Sequence, residues 1–231
     1  MISSETLRDL LVYNNTMTEY NNHDSHHVNG GSDTVSTVTV YASSSAALKP
    51  VYYEAARRTG EVLAESGKSI VYGGGGRGLM GSVADGALSK NGKVYGIVPG
   101  FLQDLELTHS GLTGLTIVDE MRVRKQKMLE ESDAVVTLPG GSGTYEELFE
   151  ALTMKRLGQW VGPIVLVNTD GFYDGLLQFL HHSINERFMG SNHLKMWSVV
   201  DDPEQVMEAI ENSHHWGSDA LEFANVTHAN A

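Results

Sequence analysis

The stretch AVVTLPGGSGTYEEL, residues 134–148, combines an apolar segment, a glycine-rich loop and the start of a helical pattern. The segment 134–138 shows no alternation of polar and apolar residues, which is typical of a strand buried on both faces. Strands of this kind occur in parallel sheets whose two faces are covered by helices. The stretch therefore predicts an α/β fold, with the loop at the edge of the sheet where ligands bind.

The same alternation of short β-branched runs and helical patterns extends along most of the chain. We expect strands at residues 38–42, 69–72, 94–98, 116–118, 134–138, 164–167 and 197–200. We expect helices at residues 50–66, 79–90, 121–132, 144–157, 173–188 and 203–212. This order predicts a doubly wound fold, with a mostly parallel sheet of about seven strands and helices on both faces.

The composition is that of a globular protein and excludes several classes of function. Of 231 residues, 41% are hydrophobic, and 29 acidic against 16 basic side chains give a formal charge of -13. We expect no nucleic-acid or membrane partner, because both need clustered positive charge. The chain has no cysteine, so it offers no disulfide, no thiolate zinc site and no cysteine nucleophile. We assign no metal site.

The two ends of the chain differ from its middle in being polar and rich in histidine. We predict flexible tails at residues 1–36 and 213–231 around one folded domain at residues 37–212. No apolar run approaches the roughly 20 residues of a membrane-spanning helix, and no signal-peptide core is evident near the amino terminus. We therefore expect a cytoplasmic protein.

A first glycine-rich loop follows the second predicted strand. Gly76, Gly78 and Gly81 form a G-x-G-x-x-G pattern that opens a helix and would let the backbone approach a phosphate or a sugar. A dinucleotide site also needs an acidic residue after the next strand, where this chain has Pro99 and Gly100. The missing acidic residue argues against NAD as a ligand. The alternative to any ligand site at these glycines is that they serve close packing of the helix on the sheet.

The second glycine-rich loop, residues 140–144, predicts a nest of backbone N–H groups at the amino end of a helix, where a phosphate would fit. Glu147 follows Thr144 by three residues, which is also the spacing of a capping box. Spacing alone favours the capping interpretation of Glu147 over a functional one. Glu146 lies one residue out of phase and is expected to be solvated.

A cluster of cations in an otherwise acidic chain lies at residues 121–128, MRVRKQKM. At helical spacing, Arg124 and Lys125 share a face with Met121 and Met128, so this face is expected to point inward or into a cleft. A buried guanidinium needs a partner, and a carboxylate or phosphate of a ligand is one candidate. A structural ion pair with an acidic side chain is the other.

Together these motifs make the sequence similar to the LONELY GUY family of cytokinin-activating phosphoribohydrolases. The resemblance runs from about Val38 to Ile210. It rests on the ordered set of residues 73–75 with 78–81, on 121–125 with its Arg-Lys pair, and on 139–147. It implies a Rossmann-like, usually dimeric protein without a cofactor, which cleaves N6-modified adenosine 5′-monophosphates into a free base and ribose 5-phosphate.

The resemblance also implies the roles of individual residues within a nucleotide-binding catalytic domain. Arg124 and Glu147 correspond to the catalytic pair. The residues expected to contact the nucleoside monophosphate are Ser44, Ser45, Gly75, Glu106, Met121, Lys125, Gly141, Ser142, Gly143 and Thr144. We therefore expect a cytoplasmic homodimeric hydrolase, with a non-hydrolytic nucleotide sensor or carrier as the alternative.

The sequence departs from the family pattern at three places. Residues 42–45 read ASSS where the family commonly has Cys-Gly-Ser-Ser, so two serines are kept and a glycine is lost. Arg122 replaces the usual histidine after Met121, and Met154 replaces a common tryptophan. These changes affect ligand placement and the base pocket, whereas both catalytic positions are intact.

Overall fold

The computed structural model describes residues 35–102, 108–217 and 220. The strands are β1 (Thr37–Tyr41), β2 (Ser69–Tyr72), β3 (Val94–Pro99), β4 (Gly114–Val118), β5 (Ala134–Thr137), β6 (Ile164–Val167) and β7 (Ser198–Val200). The α-helices are α1 (Pro50–Glu65), α2 (Gly78–Ser89), α3 (Met121–Glu130), α4 (Ser142–Arg156), α5 (Asp174–Asn185) and α6 (Val206–Glu211). Short 3-10 helices lie at Gly100–Leu102, Thr169–Gly171, Ser191–Met196 and Pro203–Gln205.

Every predicted strand and helix is present, with ends close to those predicted. The one change in type is the predicted last helix, which divides into the 3-10 turn Pro203–Gln205 and α6. In the part of the chain that the structure describes, no helix combines the length and the apolar character needed to cross a membrane. The predicted amino-terminal tail falls outside the described residues, apart from Val35 and Ser36.

All seven strands form one parallel sheet in the order β4-β3-β2-β1-β5-β6-β7. Strand β1 is central, with Val38 opposite Ile70 of β2 on one side and Ala134 of β5 on the other. The chain builds the sheet outward from β1 to β4 and then returns to add β5 on the other side. The loops after β1 and β5 therefore diverge, and a crevice opens between them at the carboxyl ends of these strands.

The core has two layers, one on each face of the sheet. On one face, Val38 and Val40 of β1 pack with buried side chains of α1, α2 and α6. On the other face, Tyr41 packs with buried residues of α3 and α4 such as Met128 and Leu148, and partly buried residues of α5 pack against them. Because both faces are covered, consecutive strand residues are apolar, which explains the unalternating pattern of the sequence.

The predicted boundary of the carboxyl-terminal tail at residue 212 is wrong in one respect. Trp216 and Ala220 are buried in the second core layer, and the Trp216 indole N–H donates a hydrogen bond to the Lys155 carbonyl at 2.6 Å. A single aromatic residue in a polar stretch gives no periodic signal, so the sequence pattern did not reveal this contact. The folded domain therefore includes residues beyond 212.

Candidate active site

A cavity of about 350 Å³ lies in the crevice between the loops that follow β1 and β5. Its walls come from the end of β1 and the following loop, the first glycine-rich loop, α2, α3 and the amino end of α4. The lining residues are Val40, Ala42, Ser43, Ser44, Ser45, Gly73, Met80, Met121, Arg124, Met128, Gly141, Ser142, Gly143, Thr144, Glu146 and Glu147. The fold thus brings together the second glycine-rich loop and the cationic helix predicted from the sequence.

The amino end of α4 presents backbone N–H groups to this cavity. The helix begins at Ser142 after Gly141, and among the described residues the amides of Ser142, Gly143 and Thr144 have no hydrogen-bond partner. A Cβ atom added at Gly141 or Gly143 would meet nothing within 4 Å. Neither glycine is therefore required by packing within the described chain, whereas both leave room for a ligand to reach the helix end.

The capping interpretation of Glu147 is wrong. Gly141 is the last non-helical residue before α4, so Thr144 is already the third residue of the helix and is buried. Glu147 lies three residues further inside the helix, where it cannot turn back to cap the amino end. Its side chain lines the cavity instead.

The raised pKa of Tyr41 shows that two carboxylates of α4 lie near the end of β1. Tyr41 is buried at the end of β1, and its pKa is raised well above the ordinary value by burial and then by the negative charges of Glu147 and Glu150. Both carboxylates therefore lie near the phenol. The sequence pattern did not single out Tyr41, because an aromatic residue at the end of a buried strand is typical of a core position.

Arg124 is fixed at the wall of the cavity, although only 4% of it is exposed. Its Nη2 atom donates a hydrogen bond to the Gly73 carbonyl at 3.0 Å, and its Nη1 atom lies 3.8 Å from the Met121 sulfur. A Cβ atom at Gly73 would come within 1.7 Å of Nη2, so the guanidinium occupies space that only glycine leaves. The prediction that Arg124 points inward is confirmed.

Lys125 lies beside the cavity, in an ion-pair cluster between α3 and α4. Its Nζ atom is 2.5 Å from the Glu146 carboxylate and 3.0 Å from that of Glu150, and its side chain is 12% exposed. Burial alone would lower the pKa of Lys125, but hydrogen bonds to the two carboxylates outweigh it and the pKa is raised. Glu146 is solvent-exposed, as predicted, and it is also paired. A contact of Lys125 with the nucleotide remains a prediction.

The first glycine-rich loop serves packing. The amides of Leu79 and Met80, at the amino end of α2, donate to the Ser43 carbonyl at 2.9 and 3.2 Å. Gly78 has a positive φ of 60°, and a Cβ atom there would meet the backbone of residues 43–45 at 2.6 to 2.7 Å. The helix end is therefore occupied by protein backbone, and the interpretation of this G-x-G-x-x-G pattern as a phosphate or sugar site is wrong. Gly73 is the glycine of residues 73–81 that lines the cavity.

The other predicted contact residues divide into three groups. Ser44, Ser45 and Met121 line the cavity. Gly75 does not, since its carbonyl accepts a hydrogen bond from the Tyr72 hydroxyl at 3.1 Å and it bridges to Thr108. Glu106 falls outside the described residues. The structure described here contains no cluster of three histidine or acidic side chains able to hold a metal ion.

Comparisons with known proteins relate this chain to a defined set of enzymes. A family described as "possible lysine decarboxylase" matches residues 80–210. A cytokinin riboside 5′-monophosphate phosphoribohydrolase of Arabidopsis thaliana is 35% identical over 174 residues, which are 75% of this chain and 82% of the relative. A second from Arabidopsis thaliana is 39% identical, over 75% and 80% of the two chains. One from Rhodococcoides fascians is 38% identical, over 78% and 91%.

Solved structures share the fold at lower sequence identity. The molybdenum cofactor carrier protein of Chlamydomonas reinhardtii superimposes with a TM-score of 0.59 at 19% identity, over 77% of this chain and 97% of that one. The molybdenum cofactor binding protein of Rippkaea orientalis gives 0.57 at 22% identity, over 76% and 93%. These similarities support the Rossmann-like architecture alone.

Proposed function

Because this chain belongs to the family of the cytokinin riboside 5′-monophosphate phosphoribohydrolases, we propose that it hydrolyses the N-glycosidic bond of N6-modified adenosine 5′-monophosphates. AMP is a second candidate substrate, and the products are the free base and ribose 5-phosphate. The main support for the proposal is that Arg124, Glu147 and the open amino end of α4 all line one cavity.

The amino end of α4 is suited to the 5′-phosphate of the substrate. The open amides of Ser142, Gly143 and Thr144 are donors for phosphate oxygens, and the helix dipole adds about 0.3 to 1 kcal/mol for an anion. The chain as a whole is acidic, so a phosphate dianion needs a local positive site, and the amino end of α4 would supply it. Anchoring the phosphate there places the rest of the nucleotide along the cavity toward α3.

Glu147 is suited to the chemical step. Cleavage of a ribosyl C–N bond develops positive charge on the sugar, and a fixed carboxylate near C1′ stabilises that charge or orients the attacking water. Water adds its hydroxyl to C1′ while the base leaves with the bonding electron pair and takes up a proton. The reaction needs no redox or group-transfer cofactor, because water is the only co-reactant.

Arg124 supplies a permanent positive charge in the same cavity. Its guanidinium is held by the hydrogen bond that it donates to the Gly73 carbonyl. A fixed cation that lines the same cavity as Glu147 would stabilise the negative charge of its carboxylate, and that charge would stabilise an oxocarbenium-like transition state. We therefore assign Arg124 to the electrostatic support of Glu147 and to contact with the anionic nucleotide.

The direct test is incubation with N6-isopentenyl-AMP, AMP and N6-isopentenyl-adenosine, followed by chromatography for the free base. We expect release from the monophosphates and little from the nucleoside, since the nucleoside lacks the group that the α4 amides hold. Equal rates for the nucleoside and its monophosphate would contradict the phosphate assignment. Tight binding of the monophosphates without any release of base would instead support a nucleotide sensor or carrier.

Substitution of Glu147 tests the catalytic assignment on the same preparation. Glu147→Gln keeps the side-chain size, and removal of a preorganised charge aimed at a transition state typically costs about 10²- to 10³-fold in kcat. AMP affinity and melting temperature should be unchanged, because the substitution leaves the amides at the amino end of α4 untouched. The matched control is Glu146→Gln, which removes a neighbouring charge on the same helix. A Glu147→Gln variant with near-normal turnover would refute the assignment.

A further inference from the structure

A second cavity, of about 180 Å³, shares no lining residue with the active-site cavity. Its walls come from the 3-10 helix Ser191–Met196 and from the segment that follows α6. The side chains that matter for its chemistry are Asn192, Lys195, His214, His215 and Trp216. It therefore combines three cationic or titratable nitrogen groups with an amide.

The wall of this cavity is held in place by buried groups. The buried Trp216 side chain donates its indole N–H to the Lys155 carbonyl at 2.6 Å, which fixes the adjoining histidines against α4. His193, also buried, accepts a hydrogen bond at Nδ1 from the Gly190 amide at 2.9 Å. The rings of His193 and Trp216 lie 6.5 Å apart between centroids. Lys195 and His214 thus project from anchored backbone.

Among the described residues that line this cavity, the charged or titratable side chains are Lys195, His214 and His215, and all three are basic. The pKa of His214 is lowered, first by burial and then by the positive charges of Lys195, Lys155 and His215. Within the described ranges none of these four side chains forms an ion pair, whereas Lys49, Lys90, Lys125 and Lys127 all pair with carboxylates. In a chain of formal charge -13, this is a local concentration of positive potential.

We propose that this cavity binds a small oxyanion, namely inorganic phosphate or the phosphate group of a small phosphomonoester. Lys195, His214 and His215 would supply charged donors, and the Asn192 amide a neutral one. The volume is below the roughly 300 Å³ at which pockets for larger ligands begin, which favours a phosphate-sized group over a whole nucleotide. A bound anion would be attracted by Lys195 and Lys155 and by either histidine in its protonated form.

The proposal has a defined pH dependence. An anion prefers protonated His214, so bound phosphate must raise the pKa of His214, and affinity must increase as the pH falls through that pKa. The groups that act on His214 from neighbouring elements are Lys195 of the 3-10 helix, Lys155 of α4 and the adjacent His215. Burial lowers the pKa of Lys155 to about 8, so Lys155 remains mostly protonated where His214 titrates.

The test follows the imidazole C–H resonances of the full chain by NMR during pH titrations, with inorganic phosphate and with chloride at equal ionic strength. His214→Asn and His215→Asn assign the two resonances. A tenfold preference of phosphate for protonated His214 raises its apparent pKa by about one unit, and chloride should not reproduce this shift. Because the resonance is local, phosphate bound at α4 does not interfere, and the result is independent of the proposed enzyme activity.

Variants of Lys195 complete the test. Lys195→Gln should abolish the phosphate-induced shift, and Lys195→Arg should retain it. Glycerol phosphate in place of inorganic phosphate separates a phosphomonoester site from one for the free ion. An unchanged His214 pKa in phosphate, an equal shift in chloride, or a shift that survives Lys195→Gln would each overturn the proposal. If Lys195→Gln does not fold, the wild-type titrations in phosphate and in chloride still test whether phosphate raises the pKa of His214.

Discussion

Substitution of Lys125 separates two explanations of the Arg-Lys pair. The sequence resemblance implies that Lys125 contacts the nucleotide, whereas the structure places its Nζ atom 2.5 Å from Glu146 and 3.0 Å from Glu150. In that position Lys125 offsets two carboxylates that are neighbours of Glu147 on α4. We predict that Lys125→Gln acts mainly through the charge of Glu147 and through the α3–α4 contact.

The magnitude follows from the exposure of the three groups. Lys125 is 12% exposed, but Glu146 and Glu150 are 58% and 35% exposed, so solvent screens both pairs. Exposed ion pairs contribute about 0.2 to 1 kcal/mol each, which gives a loss of about 1 kcal/mol in unfolding free energy for Lys125→Gln. The two uncompensated carboxylates should raise the pKa of Glu147, because nearby negative charge disfavours its ionised form.

The assay is the pH dependence of kcat/KM for N6-isopentenyl-AMP. In the proposed mechanism Glu147 acts in its ionised form. A raised pKa should therefore move the acidic limb of the profile to higher pH and leave the plateau nearly unchanged. Lys125→Arg should retain the wild-type limb. Lys127→Gln is the matched control, since Lys127 lies on the same helix and pairs with Glu131 at 3.6 Å.

A different profile would refute this reasoning. If Lys125 binds the nucleotide, Lys125→Gln raises KM at every pH and leaves the acidic limb in place. The triple variant Lys125→Gln, Glu146→Gln, Glu150→Gln provides a second check, because it removes the uncompensated charges along with the lysine. The acidic limb of the triple variant should not show the upward shift of Lys125→Gln alone; retention of that shift would exclude the electrostatic explanation.

Five further outcomes are expected. Gly143→Ala places a Cβ atom in open space, so its melting temperature should be unchanged while AMP affinity falls about tenfold, or 1.4 kcal/mol, in calorimetry. Gly140→Ala, whose Cβ atom would lie 2.1 Å from the Thr144 hydroxyl, should instead lose about 1 to 3 kcal/mol of stability in urea unfolding. Burial lowers the pKa of Lys155 to about 8. The charged form of Lys155 therefore costs the fold stability in full below pH 8 and progressively less as the pH rises toward the ordinary lysine pKa. The free energy of unfolding of the wild type relative to Lys155→Met, measured in urea, should increase over this pH range, and a difference independent of pH would contradict this. Deletion of residues 1–34 should leave the thermal transition intact, and an insoluble product would show that this segment is needed for folding. Sedimentation should give a homodimer, and a monomer at micromolar concentration would contradict that expectation.

The sequence predicted the sheet most directly at strands such as β5 and β6, which are buried on both faces and carry an almost uninterrupted apolar signal. It did not predict where α4 begins, since a Thr-x-x-Glu spacing fits a cap at Thr144 as well as an interior turn, and only the extended backbone of Gly141 distinguishes them. Likewise, the role of Gly78 depends on the carbonyl of Ser43, 35 residues earlier in the chain, which no local pattern contains.

The central position of β1 has a consequence for synthesis of the protein. Strand β1 is the first described strand to leave the ribosome, yet one of its edges pairs with β5, with Val38 opposite Ala134, 96 residues later in the chain. At about 5 to 20 residues per second, that edge stays open for about 5 to 20 s during translation. An open apolar strand edge is a template for pairing with other chains. Nascent chains of this protein therefore pass through an interval in which they depend on chaperones or on dilution to avoid pairing with one another. The cavity between the loops after β1 and β5 can form only after that interval ends.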